Sequence, residues 1–448
     1  MGKLTKEEIT LAGQCLSFAL EQGADMARIT LTKSLLNLYG VLNGEIDKTS
    51  LALDRSMQLS LFVDGRFGTF SSNRLEKDEL EKFISNAVRT VGMMEPDAFR
   101  KLPAAERLEK GAAKGTELGL YDPAYENMTA EKRLSLAQGS MSWGTREQLG
   151  KGFEVISEEG EYSDSIYDLY TIDSQGLEAR HTETSFEIGY ECSVKDSEGR
   201  IYSGYWWDAC PRLEDLDIDS CSRKAIERAS SQINPHGIES GKYTVVVDSE
   251  CASKLLTPVM NALGGYAIQQ KNSFLDGSLG QKVFPDNLTV LDSPRGYGKT
   301  GSRLFDSEGV STRECAVIEK GVVKMYFLNT YIAGKMNTEP TVEDITRAKV
   351  LPTGGCKTCQ DVLAKAGDCI YVTGFNGGNS SAVTGNFSYG IEGFMVKDGK
   401  IQYPVHEMLM TGNFKELWNN LLAAAEDARE CMSRIVPTLA FTNVNISA

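Results

Sequence analysis

From Phe153 to Trp207 the chain reads as a run of strand segments. They are broken at Glu158-Glu159-Gly160, Asp173-Ser174-Gln175-Gly176 and Asp196-Ser197-Glu198-Gly199. Turns this short cannot join parallel strands, which need a crossover of a dozen or more residues. The stretch is therefore an antiparallel meander. Asp64-Gly65, inside the alternating segment Met57 to Phe70, is a second hairpin signal of the same kind. Strands and helices that cluster, rather than alternate along the chain, argue for an α+β fold. The expected class is α+β: an N-terminal mixed domain with antiparallel strands and helices, followed by a Gly-rich, mostly β C-terminal domain.

Local signals fill in this frame. Thr5-Lys6-Glu7-Glu8 is a capping box that opens a helix stopped at Gly23. Strands are expected at Ala27 to Thr32 and Gly44 to Leu53, and helices at Asp78 to Val91, Ala130 to Gln148 and Ser220 to Ser231. The polar stretch of about 95–128 reads as a surface connection. The N-terminal domain then spans 1–233, with subregions of about 1–94 and 129–233. Asn234-Pro235-His236-Gly237 reads as a hinge, and the C-terminal domain spans 240–448. It starts with a strand at Tyr243 to Val247 and a helix near Glu250 to Leu263, and it closes with a helix around Phe414 to Arg434. A faint internal echo links Val63–Gly68, a strand and a helix containing Ala87 to Ser197–Tyr202, a strand and a helix containing Ala225.

Charge narrows the function classes. With 47 Lys and Arg against 62 Asp and Glu, the 448-residue chain has a formal charge of −15. That balance opposes direct nucleic-acid binding over a broad face, which needs net cationic surface. No stretch approaches the ~18 apolar residues of a membrane helix, and the N-terminus lacks the apolar core of a signal peptide. A soluble, cytoplasmic protein is expected.

Few motifs carry chemistry. Ten cysteines are too dilute for a disulfide framework. Cys356-Lys357-Thr358-Cys359 is a CxxC without the second pair, or paired histidines, of a zinc site, and ordinary reduced thiols are the preferred reading. Gly296-Tyr297-Gly298-Lys299-Thr300-Gly301 satisfies G-x-G-x-x-G, but the segment after it, Ser302 to Gly309, does not read as a helix. A phosphate cradle would lack its helix dipole, and a flexible surface loop is the expectation. The only histidines, His181, His236 and His406, are too far apart for a helical metal pair. Trp206-Trp207 reads as packing before ligand platform. The most unusual stretch is Gly374 to Gly390. Its glycines suit either strands that receive an extended peptide or a tightly bent barrel wall. Gly374, Asn376, Gly377, Gly378, Gly385, Asn386 and Tyr389 are the peptide-binding candidates.

The passage from Val383-Thr384-Gly385-Asn386-Phe387-Ser388-Tyr389-Gly390 through Glu392-Gly393-Phe394-Met395-Val396-Lys397-Asp398-Gly399-Lys400-Ile401 to Tyr403-Pro404-Val405 and Met410-Thr411-Gly412-Asn413-Phe414 resembles the C-terminal signature of the TldD/PmbA family. Its members are also called modulators of DNA gyrase. The resemblance implies a heterodimeric zinc metalloprotease acting on small or unfolded polypeptides. Its TldD-type subunit carries His-Glu-x-x-x-His on the helix after the first strand of the C-terminal domain, with a Cys near the chain end. Matching that helix by Leu255-Leu256 places Thr257 at the first His, Pro258 at the Glu and Ala262 at the second His. None can ligate zinc or take a proton, and Cys431 in the terminal region is not a site by itself.

The chain thus resembles the PmbA/TldE-type subunit. It is expected to have no cofactor and no catalytic residue of its own. Its expected partners are a zinc-bearing TldD-like subunit and a peptide substrate, with a homodimer left open where no such partner is present. The first alternative is a non-proteolytic regulatory binding protein. A second is a hydrolase using Cys356 or Cys359 with a distant His.

Overall fold

The computed structural model describes residues 2–141 and 152–448, except for the Glu407 side chain. Two compact units emerge. The first comprises 1–227, 295–312 and 329–338; the second comprises 228–294, 313–328 and 339–448. The first unit therefore takes in two pieces of the sequence expected in the C-terminal domain. The α+β class and the N-terminal antiparallel sheet are as the sequence indicates.

In the first unit α1 (Lys6–Glu21) leads into β1 (Met26–Leu42), β2 (Glu45–Val63), β3 (Arg66–Ser72) and α2 (Lys77–Val91). The Thr5–Glu8 capping box forms in both directions. Asp64 and Gly65 both adopt positive φ, the mirror-image turn whose twist suits a two-residue hairpin. After the 95–128 segment come α3 (Ala130–Gly139), β4 (Phe153–Asp173), β5 (Glu178–Asp196), β6 (Ile201–Cys210) and α4 (Cys221–Ser231), within which the division between units falls. The part of the expected Ala130–Gln148 helix beyond Met141 lies outside the described residues.

The strands form one sheet in the order β3-β2-β1-β4-β5-β6, with every pairing antiparallel. The order helix–three strands–helix thus occurs twice, joined through β1 and β4, where the faint sequence echo lay. Two expectations change. The strands are far longer than the short segments read from alternation, and Glu158-Glu159-Gly160 lies inside β4, paired with Tyr190 to Cys192, instead of breaking it. Alternation fades where both faces of a strand are exposed, as in β2 from Glu45 to Arg55.

Helices α1 and α2 cover one end of the sheet. Ala12, Cys15 and Ala19, at one-turn spacings, pack with Leu80, Ile84 and Val88 over Ile29, Leu31, Met57, Leu59 and Leu61. Beyond that core the sheet buries charge. Asp164, Asp168 and Asp173 on β4 pair with Arg133, Arg180 and Arg28 respectively. The 95–128 segment is anchored. Leu108 and Ala112 pack on Leu177, Ala179 and Phe305, and Glu109 accepts from Arg295 and the Ser311 hydroxyl. The Gly296–Gly301 loop belongs to this anchor: the Gly298 amide donates to the Leu118 carbonyl (2.7 Å), and the Tyr297 ring lies over Gly119. It is a pinned loop with no helix behind it, not a free surface loop.

The second unit holds β7 (Gly241–Val247), α5 (Ser253–Ala262), α6 (Gly265–Gln269), β8 (Val290–Asp292), β9 (Cys315–Glu319) and β10 (Val322–Val323). Helix α7 (Thr330–Met336) returns to the first unit. The chain then gives β11 (Ala348–Val350), α8 (Cys359–Ala366), β12 (Cys369–Ser380), β13 (Asn386–Lys397), β14 (Lys400–Asn413), α9 (Phe414–Asn419), β15 (Leu421–Ala424), β16 (Arg434–Ile435) and β17 (Leu439–Ser447). The order β14-β13-β12-β7-β17 closes on itself through β14–β17, forming a barrel that β15 extends. Strands β10, β9, β8, β11 and β16 make a smaller sheet.

The expected long helix from Phe414 to Arg434 is a correction. It ends at Asn419, and Leu421 to Ala424 pair with β17. Ala423, Ala424 and Ala425 are fully buried there, and Ala423 lies against Gly354. The sheet overrides an alanine-rich helix former because small side chains are what this layer accommodates.

Candidate functional site

Helix α5 follows β7 directly. Leu255, Leu256, Val259, Met260 and Ala262 are buried, and the Trp418 indole N–H donates to the Leu255 carbonyl at 3.3 Å. On this frame the Thr257 hydroxyl donates to the Ser253 carbonyl, one turn back, at 2.9 Å. Pro258 sits inside the helix and has no N–H to offer the preceding turn. Ala262 contributes only a buried methyl group. These three positions hold no imidazole and no carboxylate, so the donor set does not fit zinc. Among the described residues no three His, Cys, Asp or Glu side chains converge to hold a metal ion.

The entrance of α5 carries a buried polar cluster that sequence reasoning missed. Tyr371 on β12 donates its hydroxyl to Asp248. Burial, reinforced by the Asp248 charge, drives the Tyr371 hydroxyl far above its usual range. Glu250 takes Arg429 through both carboxylate oxygens at 2.5 Å. Burial nonetheless raises the Glu250 carboxyl above its ordinary value. Arg429 thereby ties the loop that carries Cys431 to the start of α5. The sequence signal was slight: an Asp-Ser-Glu after a buried strand, with the arginine about 180 positions away.

None of the ten cysteines is in a disulfide. Cys356 is buried, and Cys359 opens α8 behind the Thr358–Asp361 capping box. The pair does therefore reach a helix N-terminus, contrary to the turn-rich appearance of its flank. Burial pushes the Cys359 thiol up all the same, the opposite of what a nucleophile needs. His181 is buried and bonds Glu183 at 2.9 Å, while exposed His236 packs its ring 4.9 Å from that of Tyr403. His406 is exposed on β14. Trp206 and Trp207 are half-buried on β6, Trp206 under the Lys224 ammonium.

The β12–β13 hairpin gathers the peptide-binding candidates. Its register shifts between Phe375 and Gly378, leaving Asn376 and Gly377 in a bulge. The Asn376 side chain lies over Gly390, where a Cβ would fall 2.1 Å from its oxygen. Gly378, at φ +102, presses on the Ser388 carbonyl, and Gly385, at φ +76, lies against the Phe274 ring. Asn376, Gly377, Gly378 and Asn386 are exposed, Gly374 is half-buried, and Gly385 and Tyr389 are buried. Beneath them runs an aromatic column. Phe375, Tyr389, Phe387, Phe414 and Phe274 follow one another at centroid spacings of 5.6, 5.3, 4.8 and 6.1 Å. Lys254 of α5 reaches the Tyr389 ring at 5.1 Å, so helix and hairpin meet there. Because β7 pairs with β12 only from Ile370 to Val372, the second edge of β12 beyond Val372 has no strand partner among the described residues. An open edge on a rigid aromatic base can accept an extended chain.

Three family descriptions match the chain: PmbA/TldA metallopeptidase domain 1 over residues 29–91, the central domain over 128–233 and the C-terminal domain over 240–448. Metalloprotease PmbA of Escherichia coli O157:H7 is 25% identical over 442 residues, covering 95% of each chain. A Bacteroides thetaiotaomicron protein of known structure, described as a candidate modulator of DNA gyrase, is 35% identical over 99% of both chains, with a TM-score of 0.92. TldE from Thermococcus kodakarensis shares the fold at a TM-score of 0.83 and 19% identity, covering 98% of this chain and all of its own.

Proposed function

The chain belongs to the PmbA/TldD metallopeptidase family, and from that premise we propose that it is the PmbA/TldE-type subunit of a two-chain zinc metallopeptidase acting on small or unfolded polypeptides. One observation carries the reading: α5 has Thr257, Pro258 and Ala262 where the resemblance expects metal ligands and a general base. A TldD-type partner supplies zinc and the proton-transferring carboxylate. This chain contributes a surface for extended peptide, with Gly374, Asn376, Gly377, Gly378, Gly385, Asn386 and Tyr389 along the β12–β13 hairpin. The complex is cytoplasmic, in keeping with the lack, among the described residues, of a helix long and apolar enough to cross a membrane.

The experiment compares peptidase activity of the purified chain, of a TldD-type subunit and of their mixture, each with and without chelator. Chelator-sensitive activity that needs the TldD-type chain supports the proposal. Chelator-sensitive hydrolysis by this chain alone overturns it. A second reading, a non-proteolytic regulatory binding protein, is favoured by the gyrase-modulator description of the Bacteroides relative. The net charge of −15 speaks against direct DNA contact in that role. Saturable, salt-sensitive DNA binding by the purified chain would favour it.

A further inference from the structure

Helix α5 and the β12–β13 hairpin hold one cation between them. Pairing of β7 with β12 stops at Val247 and Val372; the Asp248 amide still donates to the Val372 carbonyl (2.9 Å), and the chain then turns into α5. The first turn of α5 therefore lies beside the point where the edge of β12 opens. From that turn the exposed Lys254 side chain reaches the ring of Tyr389 on β13, 5.1 Å from its centroid. Tyr389 is opposite Gly378, and a glycine there puts no side chain of β12 in the way. The ring attracts the ammonium through its negative face but does not neutralise it.

No carboxylate of the chain answers that charge. The acids just before Lys254 are engaged elsewhere: Asp248 accepts from Tyr371, and Glu250 takes Arg429. Directly opposed residues of antiparallel strands share a face, which groups Phe375, Gly378 and Ser380 of β12 with Ile391, Tyr389 and Phe387 of β13. None of these six is charged. Glu392 lies opposite Gly374 on the other face, where its side chain fills the space a Cβ of Gly374 would take. Among the described residues Lys254 has no carboxylate partner.

We propose that Lys254 determines specificity at this surface, selecting extended peptides that carry a glutamate opposite Gly378. This rests on the reading of the hairpin as a peptide surface and adds what such a peptide must carry. A strand added to the open edge of β12 turns its residue opposite Gly378 to the face of Tyr389, the face on which the ammonium sits. Neighbouring strands lie ~4.8 Å apart, so the added backbone runs ~10 Å from that of Tyr389. Extended glutamate and lysine side chains together span that gap. The stretch from Asn376 to Ser380 is exposed and open to such a strand. The uncharged face around it offers a carboxylate no repulsion and no competing cation, whereas a basic residue at the same place meets like charge.

The test is isothermal titration calorimetry of the isolated full chain with short Val- and Thr-rich peptides, N-acetylated and C-amidated, that differ only in a central Glu, Gln or Lys. Blocked ends leave the side chain as the peptide's only carboxylate. The Glu peptide should bind about fivefold tighter than the Gln peptide, and the Lys peptide more weakly still, with the spread narrowing as salt is added. Lys254→Met should level the Glu and Gln peptides while keeping the affinity for Gln. Lys254→Glu should reverse the order in favour of Lys, which also shows that this variant is folded. Equal binding of the three peptides by the wild type overturns the proposal and leaves the peptide surface standing. So does a Glu preference that survives both substitutions, or one that appears only when the C-terminus is left free. No binding of any peptide overturns the proposal and the peptide surface together.

Discussion

Asp164 is the most exacting point in the first unit. Its carboxylate is 1% exposed and accepts from Arg133 Nε (2.7 Å) and Nη2 (3.0 Å), Asn37 Nδ2 (2.9 Å) and the Tyr162 hydroxyl (3.0 Å). Asp164→Ala removes all four acceptor contacts and strands a guanidinium that is itself buried. Breaking one side of a buried ion pair costs ~3–5 kcal/mol, a large share of the ~5–15 kcal/mol that holds a typical domain together. Urea unfolding followed by circular dichroism should show that loss as a lowered midpoint in the transition of the first unit. The double variant Asp164→Leu, Arg133→Met removes both charges and should recover the part of the loss that comes from the stranded guanidinium, while the Tyr162 hydroxyl and the Asn37 amide still lack their acceptor. A loss under ~1 kcal/mol in Asp164→Ala, or a double variant as unstable as the single, would mean that the buried ion pair does not hold this part of the sheet together.

Particular contacts set three further outcomes. Gly378→Ala places a side chain at φ +102 and 2.1 Å from the Ser388 oxygen, so hydrogen exchange should speed up along β12 and β13 at a cost of ~1–3 kcal/mol; unchanged protection would show that the bulge tolerates a side chain. At Glu109 burial raises the carboxyl, but the Ser311 hydroxyl, the Gly111 amide and Arg295 outweigh it and hold it below its ordinary 4.5. Its stabilising contribution is therefore full above pH ~4.5 and lost as the pH falls through the depressed value, so exchange over 109–121 should rise on acidification in the wild type and be insensitive to this step in Glu109→Gln. Cys359, its thiol raised by burial, should alkylate more slowly with iodoacetamide at neutral pH than an unfolded reference, and Cys359→Ser should leave the activity of any mixed complex unchanged; fast alkylation with lost activity would return it to the list of nucleophiles.

Much of this architecture was legible in local chemistry. Asp64-Gly65, Asp173 to Gly176 and Asp196 to Gly199 turn where such residues turn, and Thr5 with Glu8 caps a helix as the pattern requires. The glycines from Gly374 to Gly390 marked a real bulge and close backbone contacts. What stayed hidden depends on distant partners. Nothing near Leu421 announces that Ala423 must lie against Gly354 and pair beside β17, so helix propensity misled there. Glu250 with Arg429, and Glu109 with Arg295, join residues far apart in the chain, and no local period records such pairs. Strand length was hidden in β2 for the opposite reason: an arm exposed on both faces imposes no alternation.

Metal stoichiometry decides whether α5 lacks a zinc site. The isolated chain would be equilibrated with zinc, dialysed and subjected to elemental analysis beside its mixture with a TldD-type subunit. With Thr257, Pro258 and Ala262 on the helix, essentially no zinc should stay with the isolated chain, and about one should be found per mixed complex. About one zinc held by this chain alone would contradict it and point to ligands other than those on α5.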